Sequence, residues 1–241
     1  FEFRMVGSRD SIAPANVVLN TIVAQAFKEA CEELEQAENF DIAVHDLMKK
    51  NFTRHQRIVF NGNGYSKEWV KEAERRGLPN MTCMVESLDA LTMEKTVALF
   101  EEFGVLTRAE LESRQEIKYE AYAKAINIEA RTMLDIAGKQ IIPAVIRYTR
   151  ELADSINAVV AAGVLDVEVQ TGLLRDTSAL LKETKEAADA LREVTEIAYA
   201  MADGKDKAFY YRRQVIPAME TLRHPVDQLE MLVDKEIWPM P

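Results

Sequence analysis

Residue types that build disulfide frameworks and metal centres are scarce in this sequence. It has two cysteines, Cys31 and Cys83, and three histidines, His45, His55 and His224, in 241 residues. The two cysteines are far apart and form no metal-binding motif, which is typical of free thiols in a reducing compartment. No histidine stands at ligand spacing from a cysteine or an aspartate, so each is interpreted as a surface or hydrogen-bonded residue.

Long apolar runs and an excess of basic residues are also missing. No run approaches the roughly 20 apolar residues that a membrane-spanning helix needs. The formal net charge of −10 argues against a nucleic-acid or anionic-membrane surface. With 48% apolar residues, the chain is long enough for one or two domains with cores of their own. These features favour a cytoplasmic protein.

Glycine and proline, which interrupt helices, are absent from residues 105–137. The first long helix is predicted from Thr107 to about Ala162, with a kink at Pro143. A second is predicted over about 167–202 and a third over about 206–234, the third interrupted by two prolines. Short turns at 163–166 and 203–205 make neighbouring helices antiparallel. The pattern therefore predicts an up-down-up bundle of three long helices.

Apolar residues mark the faces on which these helices are expected to pack. The second helix repeats apolar residues every seven positions, as in a coiled coil. The first is expected to bury an apolar stripe with helical spacing. The repeat of the second helix consists of Leu173, Leu180, Ala187, Val194 and Met201, and the stripe of the first includes Ile117, Tyr119, Tyr122, Ala125, Ile126, Ile128, Met133, Leu134, Ala137 and Ile141. Two similar segments, 140–145 and 214–219, each contain an Ile-Pro-Ala step.

Shorter helices are predicted between the N-terminus and the bundle. One covers about 16–36, and a second follows Asp41 as N-cap and ends in a basic run at 49–55, interpreted as a solvated face. A short extended run at 57–60 leads into two Asn-Gly steps, which favour positive φ but lack a phosphate-loop pattern. The further helix signals are Ser66 as N-cap with Gly77 as stop, Thr92 as N-cap, Trp69 and Val70 as buried residues, and a Thr107–Glu110 capping box.

The first six residues, Phe1-Glu-Phe-Arg-Met-Val6, alternate apolar and polar side chains and predict a short strand. Glu2 and Arg4 then project from the same face. One interpretation is a surface ion pair on an edge strand, and another is a site that holds a metal and an anionic substrate. Because the chain offers few other strands, we expect this strand to belong to a sheet encoded upstream.

The same segment resembles the last active-site segment of glutamine synthetases, in the form found in the type III branch. The resemblance rests on Glu-x-Arg in a strand, a polar turn, and a helix that begins near Asn16. It extends over essentially the whole chain through Phe60-Asn-Gly-Asn-Gly-Tyr-Ser66, residues 68–78, Glu110-Leu-Glu-Ser-Arg114 and Trp238-Pro239.

The resemblance implies a reaction, a set of ligands and an oligomeric state. Glutamine synthetases use ATP to phosphorylate the side-chain carboxylate of glutamate and then displace the phosphate with ammonia. Glu2 matches the family's ligand of a divalent ion, Mg²⁺ or Mn²⁺, and Arg4 matches the arginine that holds glutamate and stabilises the transferring phosphoryl group. Ser8, Arg9 and Asn16 fall in the turn and helix start and are expected to be structural. The family forms rings, so a homo-oligomer is expected.

The predicted fold class is mainly α, with a short N-terminal strand belonging to an upstream catalytic domain of the glutamine synthetase type. Residues 1–106 are assigned to the end of that domain and 107–241 to the long-helix bundle. One glutamate and one arginine cannot form a two-metal site, so we expect residues 1–241 alone to be inactive. The alternative is a noncatalytic helical coiled-coil interaction module, which would leave the strand without a role.

Overall fold

A computed structural model of the chain describes residues 11–240. This range is helical with turns and loops and contains no strand, so the mainly α fold class is confirmed. The predicted strand Phe1–Val6 lies outside the described residues. The helices are α1 (Ala13–Leu34), α2 (Phe40–Arg54), α3 (Lys67–Arg75), α4 (Met84–Ser87), α5 (Glu94–Glu102), α6 (Arg108–Ile136), α7 (Ile142–Ala161), α8 (Glu168–Ala200), α9 (Lys205–Tyr210) and α10 (Ile216–Leu232).

The chain divides into two compact units, with the division between Gln115 and Glu116 inside α6. In the first unit, Val97, Phe100 and Leu111 form a buried cluster against which Val18 and Leu106 pack. The second unit is the helical bundle. The domain division predicted at 106/107 remains a prediction, because a compact unit is defined by its contacts and a domain by its independence.

Several helix ends follow from local sequence. Thr107 and Glu110 form the predicted capping box: the Glu110 amide donates to Thr107 Oγ1 at 3.3 Å and the Thr107 amide donates to Glu110 Oε2 at 2.8 Å. Ser66 caps α3 by accepting from the Trp69 amide at 3.2 Å. Gly77, with φ of +67°, ends that helix in the left-handed conformation that suits glycine.

Other local predictions were wrong. The N-cap of α2 is Asn39, whose side chain accepts from the Ile42 amide at 3.1 Å, and not Asp41. The N-cap of α5 is Met93, without a side-chain bond, and not Thr92. Val70 is exposed and Trp69 only half-buried, because the short helix α3 lies at the surface of its unit.

The second unit is the predicted three-helix bundle. The first helix is α6 continued by α7, the second is α8, and the third is α9 continued by α10, with α8 packed against both of the others. A buried cluster joins the three: Ala123, Ala130, Ala137, Ala187, Ala188, Leu191, Ala198, Tyr211, Val215 and Leu222.

Small residues form much of the seam in this bundle, and the predicted stripe is confirmed only in part. Tyr119, Ala137 and Ile141 are buried, and four further stripe residues pack against the core: Tyr122, Ile126, Met133 and Leu134. On the first helix, buried alanines recur every seven residues at Ala123, Ala130, Ala137 and Ala144. Ile117 and Ile128, predicted in the stripe, are 59% and 64% exposed, and Ala125 is exposed as well. The pattern misled because it weighted large apolar residues, whereas close packing of helices selects small ones.

The predicted repeat on α8 is confirmed in part, since Ala187 is buried and Leu180 and Val194 are half-buried against the core clusters. The fully buried positions of α8 are others and include Thr177, Thr184 and Leu191. Thr184 Oγ1 donates to the carbonyl of Leu180 at 2.8 Å, so its polar group is satisfied inside its own helix. Thr195 Oγ1 donates to the carbonyl of Leu191 in the same way, at 2.7 Å, whereas Thr177 Oγ1 is buried without a hydrogen-bond partner among the described residues.

Two π-turns explain the repeated Ile-Pro-Ala segment. One covers Ala137–Ile141 and the other Tyr211–Val215, and each ends two residues before a proline. The amides of Ile142 and Ile216 donate to carbonyls five residues back, on Ala137 and Tyr211. Proline lacks an amide hydrogen and its ring crowds the preceding turn. A widened turn accommodates it, so the predicted kink takes the form of a π-turn.

Candidate functional site

The predicted site residues Glu2 and Arg4 lie outside the described residues, as do Ser8 and Arg9. The first part of this motif that the structure describes is the helix α1. α1 begins at Ala13 with Pro14 in its first turn, so Asn16 lies within the helix and is not its cap. Proline suits this position, because the first amides of a helix have no partner in the helix.

α1 packs on its own unit through residues that include Val18, yet it leaves several large apolar side chains exposed. The residue that it buries is Thr21, whose hydroxyl donates to the carbonyl of Val17 at 2.8 Å. Lys28 forms an ion pair with Glu102 of α5. Five large apolar side chains on α1 or at its N-cap are exposed: Ile12, Val17, Ile22, Val23 and Phe27, with Phe27 67% exposed. So many exposed apolar side chains in one helix suit cover by further protein.

Residues 11–240 contain no group of three His, Cys, Asp or Glu side chains that could hold a metal ion. The described part of the chain therefore offers no metal centre of its own. A glutamate at position 2 would have to be joined by ligands from elsewhere. None of the described helices combines the length and apolar character that crossing a membrane requires.

The segment around the two Asn-Gly steps is held by an aromatic and arginine cluster. Phe60 stacks on Trp69 with ring centroids 4.0 Å apart. Arg76 lies over the Trp69 ring at 5.6 Å and donates to the carbonyl of Val59 at 2.8 Å. A Cβ on Gly62 would lie 2.5 Å from the Phe60 ring, which the stack holds in place. These contacts fix residues 57–62 against α3.

The backbone of this segment differs from the sequence prediction. Residues 56–58 form a 3₁₀ turn and not an extended run. Neither Gly62 nor Gly64 has positive φ. The turn is instead closed by Asn63, whose side chain accepts from the Tyr65 amide at 3.0 Å. Asparagine closes a turn through its side chain as readily as glycine does through positive φ.

Glu72 is the charged centre of the cluster. Arg75 donates to it through two nitrogens at 2.7 Å, and Arg76 Nε donates at 2.6 Å. Hydrogen bonds from both guanidinium groups, that of Arg75 first, lower the pKa of the Glu72 carboxyl from 4.5 to about 2. The carboxylate is therefore charged across the physiological range and holds both arginines in position.

An apolar groove lies beside this cluster. It has a volume of about 640 Å³ and is formed by α2 and the 3₁₀ turn, with Phe60 at one side. Its lining is Leu47, Met48, Asn51, Phe52, His55, Ile58, Val59 and Phe60. Four of these large apolar side chains are close to half exposed or more: Met48, Phe52, Ile58 and Val59. Sequence reasoning missed the groove, because the basic run at 49–55 was interpreted as a solvated face.

Comparison with known proteins gives the class to which this fold belongs. Residues 43–160 match the family model of the glutamine synthetase C-terminal domain. That match covers α3 to α6, most of α2 and nearly all of α7. The chain belongs to the glutamine synthetase family, and the resemblance drawn from the sequence is confirmed.

Individual relatives point to the type III branch. The chain is 33% identical over 253 aligned residues to the "Type-3 glutamine synthetase" of Dictyostelium discoideum, with all of this chain and 34% of the relative covered. It is 32% identical to the "Glutamine synthetase" of Bacteroides fragilis with the same coverage. It is 32% identical to that of Butyrivibrio fibrisolvens, with 80% of this chain and 28% of the relative covered. The chain spans about a third of the length of these curated relatives.

Proposed function

We propose that this chain acts as the C-terminal part of a type III glutamine synthetase, which ligates ammonia to glutamate at the expense of ATP through a γ-glutamyl phosphate. The observation that carries the proposal is the alignment of the whole chain, including its first residues, with relatives named glutamine synthetase. The exposed apolar side chains of α1 support it, since a helix of this kind needs a larger body to cover them.

Within that enzyme, Glu2 would bind one divalent ion, Mg²⁺ or Mn²⁺, and Arg4 would bind glutamate and the transferring phosphoryl group. A bound divalent ion neutralises charge on the phosphates of ATP. A guanidinium can contact a carboxylate or a phosphate through two nitrogens at once, which an ammonium cannot. Arg4 would thus orient the reacting carboxylate and stabilise charge as the phosphoryl group moves.

The remaining elements would serve support and assembly. The bundle carries no metal cluster within its described residues and is built around a seam of small side chains. We propose that it contributes to a homo-oligomer in the cytoplasm. Because the chain spans a third of its relatives, we also propose that residues 1–241 alone have no synthetase activity.

The test of the site uses the full-length protein that carries this chain. Glu2→Gln should weaken stabilisation by Mn²⁺ in a thermal shift assay, because a neutral amide binds a divalent ion less tightly than a carboxylate. Arg4→Lys should reduce the rate of γ-glutamyl hydroxamate formation by about 100-fold, since it loses the two-nitrogen contact. Conservative changes keep the shape of each side chain, so a misfolded variant is an improbable source of these effects.

Two exposed residues away from the N-terminus serve as matched controls, Glu35→Gln and Arg147→Lys. They should leave both measurements at the values of the unmodified protein. Unchanged Mn²⁺ stabilisation in Glu2→Gln together with an unchanged rate in Arg4→Lys would overturn the assignment of the site.

A further inference from the structure

The turn between α7 and α8 forms a protruding apolar tip. We define the tip as residues 160–169. Val160 and Val164 are 41% and 52% exposed, Val169 is 73% exposed and Leu165 is 82% exposed. Four exposed aliphatic side chains within ten residues are more than a solvent-exposed turn requires.

The tip is held in a defined conformation. Gly163, with φ of +90°, ends α7, and its amide donates to the carbonyl of Val160 at 3.0 Å. The Val164 amide donates to the carbonyl of Val159 at 3.3 Å, which completes a helix-ending motif. The Asp166 side chain accepts from the Glu168 amide at 3.4 Å at the start of α8. The apolar side chains are therefore presented on a fixed backbone, which lowers the entropy cost of docking.

The hairpin also extends beyond the core of the bundle. No residue from 146 to 176 is buried, whereas Val145 and Thr177 at its base are. The third helix ends at Leu232, and the cluster that it forms there involves Leu229 and Val233 with Ile141 and Val145. Only α7 and α8 continue to the tip, so the tip has no covering helix within the described part of the unit.

The apolar groove on the first unit has the complementary surface. Its lining is mostly apolar, with Asn51 and His55 as the polar members, and its volume of about 640 Å³ has room for more than one aliphatic side chain. Gly62 and the Phe60–Trp69 stack fix one side of it. A protruding tip and a preformed groove of the same apolar character suit each other sterically.

The charges around the two surfaces are opposite. Residues 151–174, which surround the tip, contain Glu151, Asp154, Asp166 and Glu168 and no lysine or arginine. Arg150, just outside this range, pairs with Asp154 at 3.5 Å, so the acidic residues nearest the tip are Asp166 and Glu168. Residues 47–67, which surround the groove, contain Lys49, Lys50, Arg54, Arg57 and Lys67 and no aspartate or glutamate. Lys50 is paired with Glu33 at 2.6 Å, and Lys49, Arg54 and Arg57 are exposed. Opposite charges around the two apolar surfaces favour an approach in which the tip faces the groove.

We propose that the tip of the α7–α8 hairpin docks into the α2 groove of a second copy of this chain. The helical path from Glu116 to Ala161 measures roughly 70 Å at 1.5 Å per residue, so the tip stands far from the start of its own unit. The contact joins two different surfaces, and a contact of this type repeated around an axis closes a ring. The proposal refines the assembly role above and rests on it.

Cross-linking between distinguishable copies tests the docking. In the full-length protein with Cys31 and Cys83 changed to serine, one tagged copy carries Leu165→Cys and a co-expressed copy carries Met48→Cys. Mild oxidation should give a disulfide-linked pair of differently tagged chains. The matched control replaces Leu165→Cys by Met231→Cys, which is equally exposed at 83% but lies on α10. The docked pair should give at least about tenfold more cross-link than the control.

A charge exchange supplies a second readout. Asp166→Lys with Glu168→Lys should lower the particle mass in light scattering at dilute protein, and adding Lys49→Glu with Arg54→Glu should restore it. Equal cross-linking in the docked and control pairs would overturn the proposal. So would a particle mass that Asp166→Lys with Glu168→Lys leaves unaltered, or a lowered mass that the added Lys49→Glu and Arg54→Glu fail to restore.

Synthetase activity of the unmodified protein is measured in parallel. An inactive protein that forms the specific cross-link would contradict the proposed ligase function and leave the docking standing. An active protein without the cross-link would contradict the docking alone.

Discussion

At the scale of single residues, the most informative side chains are those that make several different contacts at once. Arg76 bonds to Glu72, caps the carbonyl of Val59 and covers the Trp69 ring. One guanidinium therefore connects the 57–62 segment to α3. Glu72 determines whether that guanidinium stays in place, and its charge depends on pH.

The Glu72 interaction predicts a local acid transition. The pKa of Glu72 is lower in the folded protein, about 2 against 4.5, so its ion pairs stabilise the cluster above pH 4.5 and are lost as the pH falls toward 2. Trp69 fluorescence, read in a Trp238→Phe background, should report loss of the stack across this window. Glu72→Gln should weaken the cluster at neutral pH and flatten the acid transition.

Glu74→Gln provides the matched control, because Glu74 is exposed and lies on the same helix. It should leave the transition where it is in the unmodified chain. A Glu72→Gln protein whose Trp69 signal follows the unmodified profile would contradict the role given to this carboxylate.

At the scale of helices, the sequence predicted some of the ends and part of each face. The Thr107–Glu110 box and the Ser66 cap were predictable because they rest on neighbouring residues. The buried face of the first bundle helix was predictable in part, since Tyr119 and Ala137 are buried while Ile117 and Ile128 are exposed. The site residues Glu2 and Arg4 stay predictions drawn from the resemblance, whereas the groove depends on how α2 meets a 3₁₀ turn and could not be predicted from local sequence.

Two alanines on α6 separate the predicted face from the observed one. Ala130 is fully buried in the three-helix seam, and Ala125, expected in the stripe, is exposed. Ala130→Leu should destabilise the bundle by about 1–3 kcal/mol, because the seam has no room for a larger side chain. Ala125→Leu should have little effect, since alanine and leucine have similar helix propensity. Urea unfolding followed by circular dichroism measures both.

The predicted stripe would be the better description if Ala125→Leu proved the more damaging change. A common small effect of both variants would instead mean that the seam adapts to added volume.

At the scale of the whole molecule, the chain combines two units with separate buried clusters and one tryptophan each. Trp69 lies beside the arginine cluster of the first unit. Trp238 packs against the cluster formed by Ile141, Val145, Leu229 and Val233 in the second. The two side chains are therefore natural reporters for the two units.

Leu191→Ala tests whether the units unfold separately. Leu191 is fully buried in the bundle, so its truncation should cost about 2–5 kcal/mol. The unfolding monitored by Trp238, in a Trp69→Phe background, should shift to lower urea. The unfolding monitored by Trp69, in a Trp238→Phe background, should keep its midpoint. Lys182→Ala, at an exposed site of the same helix, should move neither signal, whereas a joint shift with Leu191→Ala would indicate one cooperative unit.

The helix α8 is one continuous element whose two parts have different surroundings. From Thr177 to Ala198 it is enclosed by two neighbours, and from Glu168 to Asp176 it has one. Its outer turns contribute little to the packing of the bundle, because no third helix of the described chain lies against them. A change in their sequence therefore alters the surface that the tip presents without loosening the core, whereas a change between Thr177 and Ala198 alters the stability of the bundle.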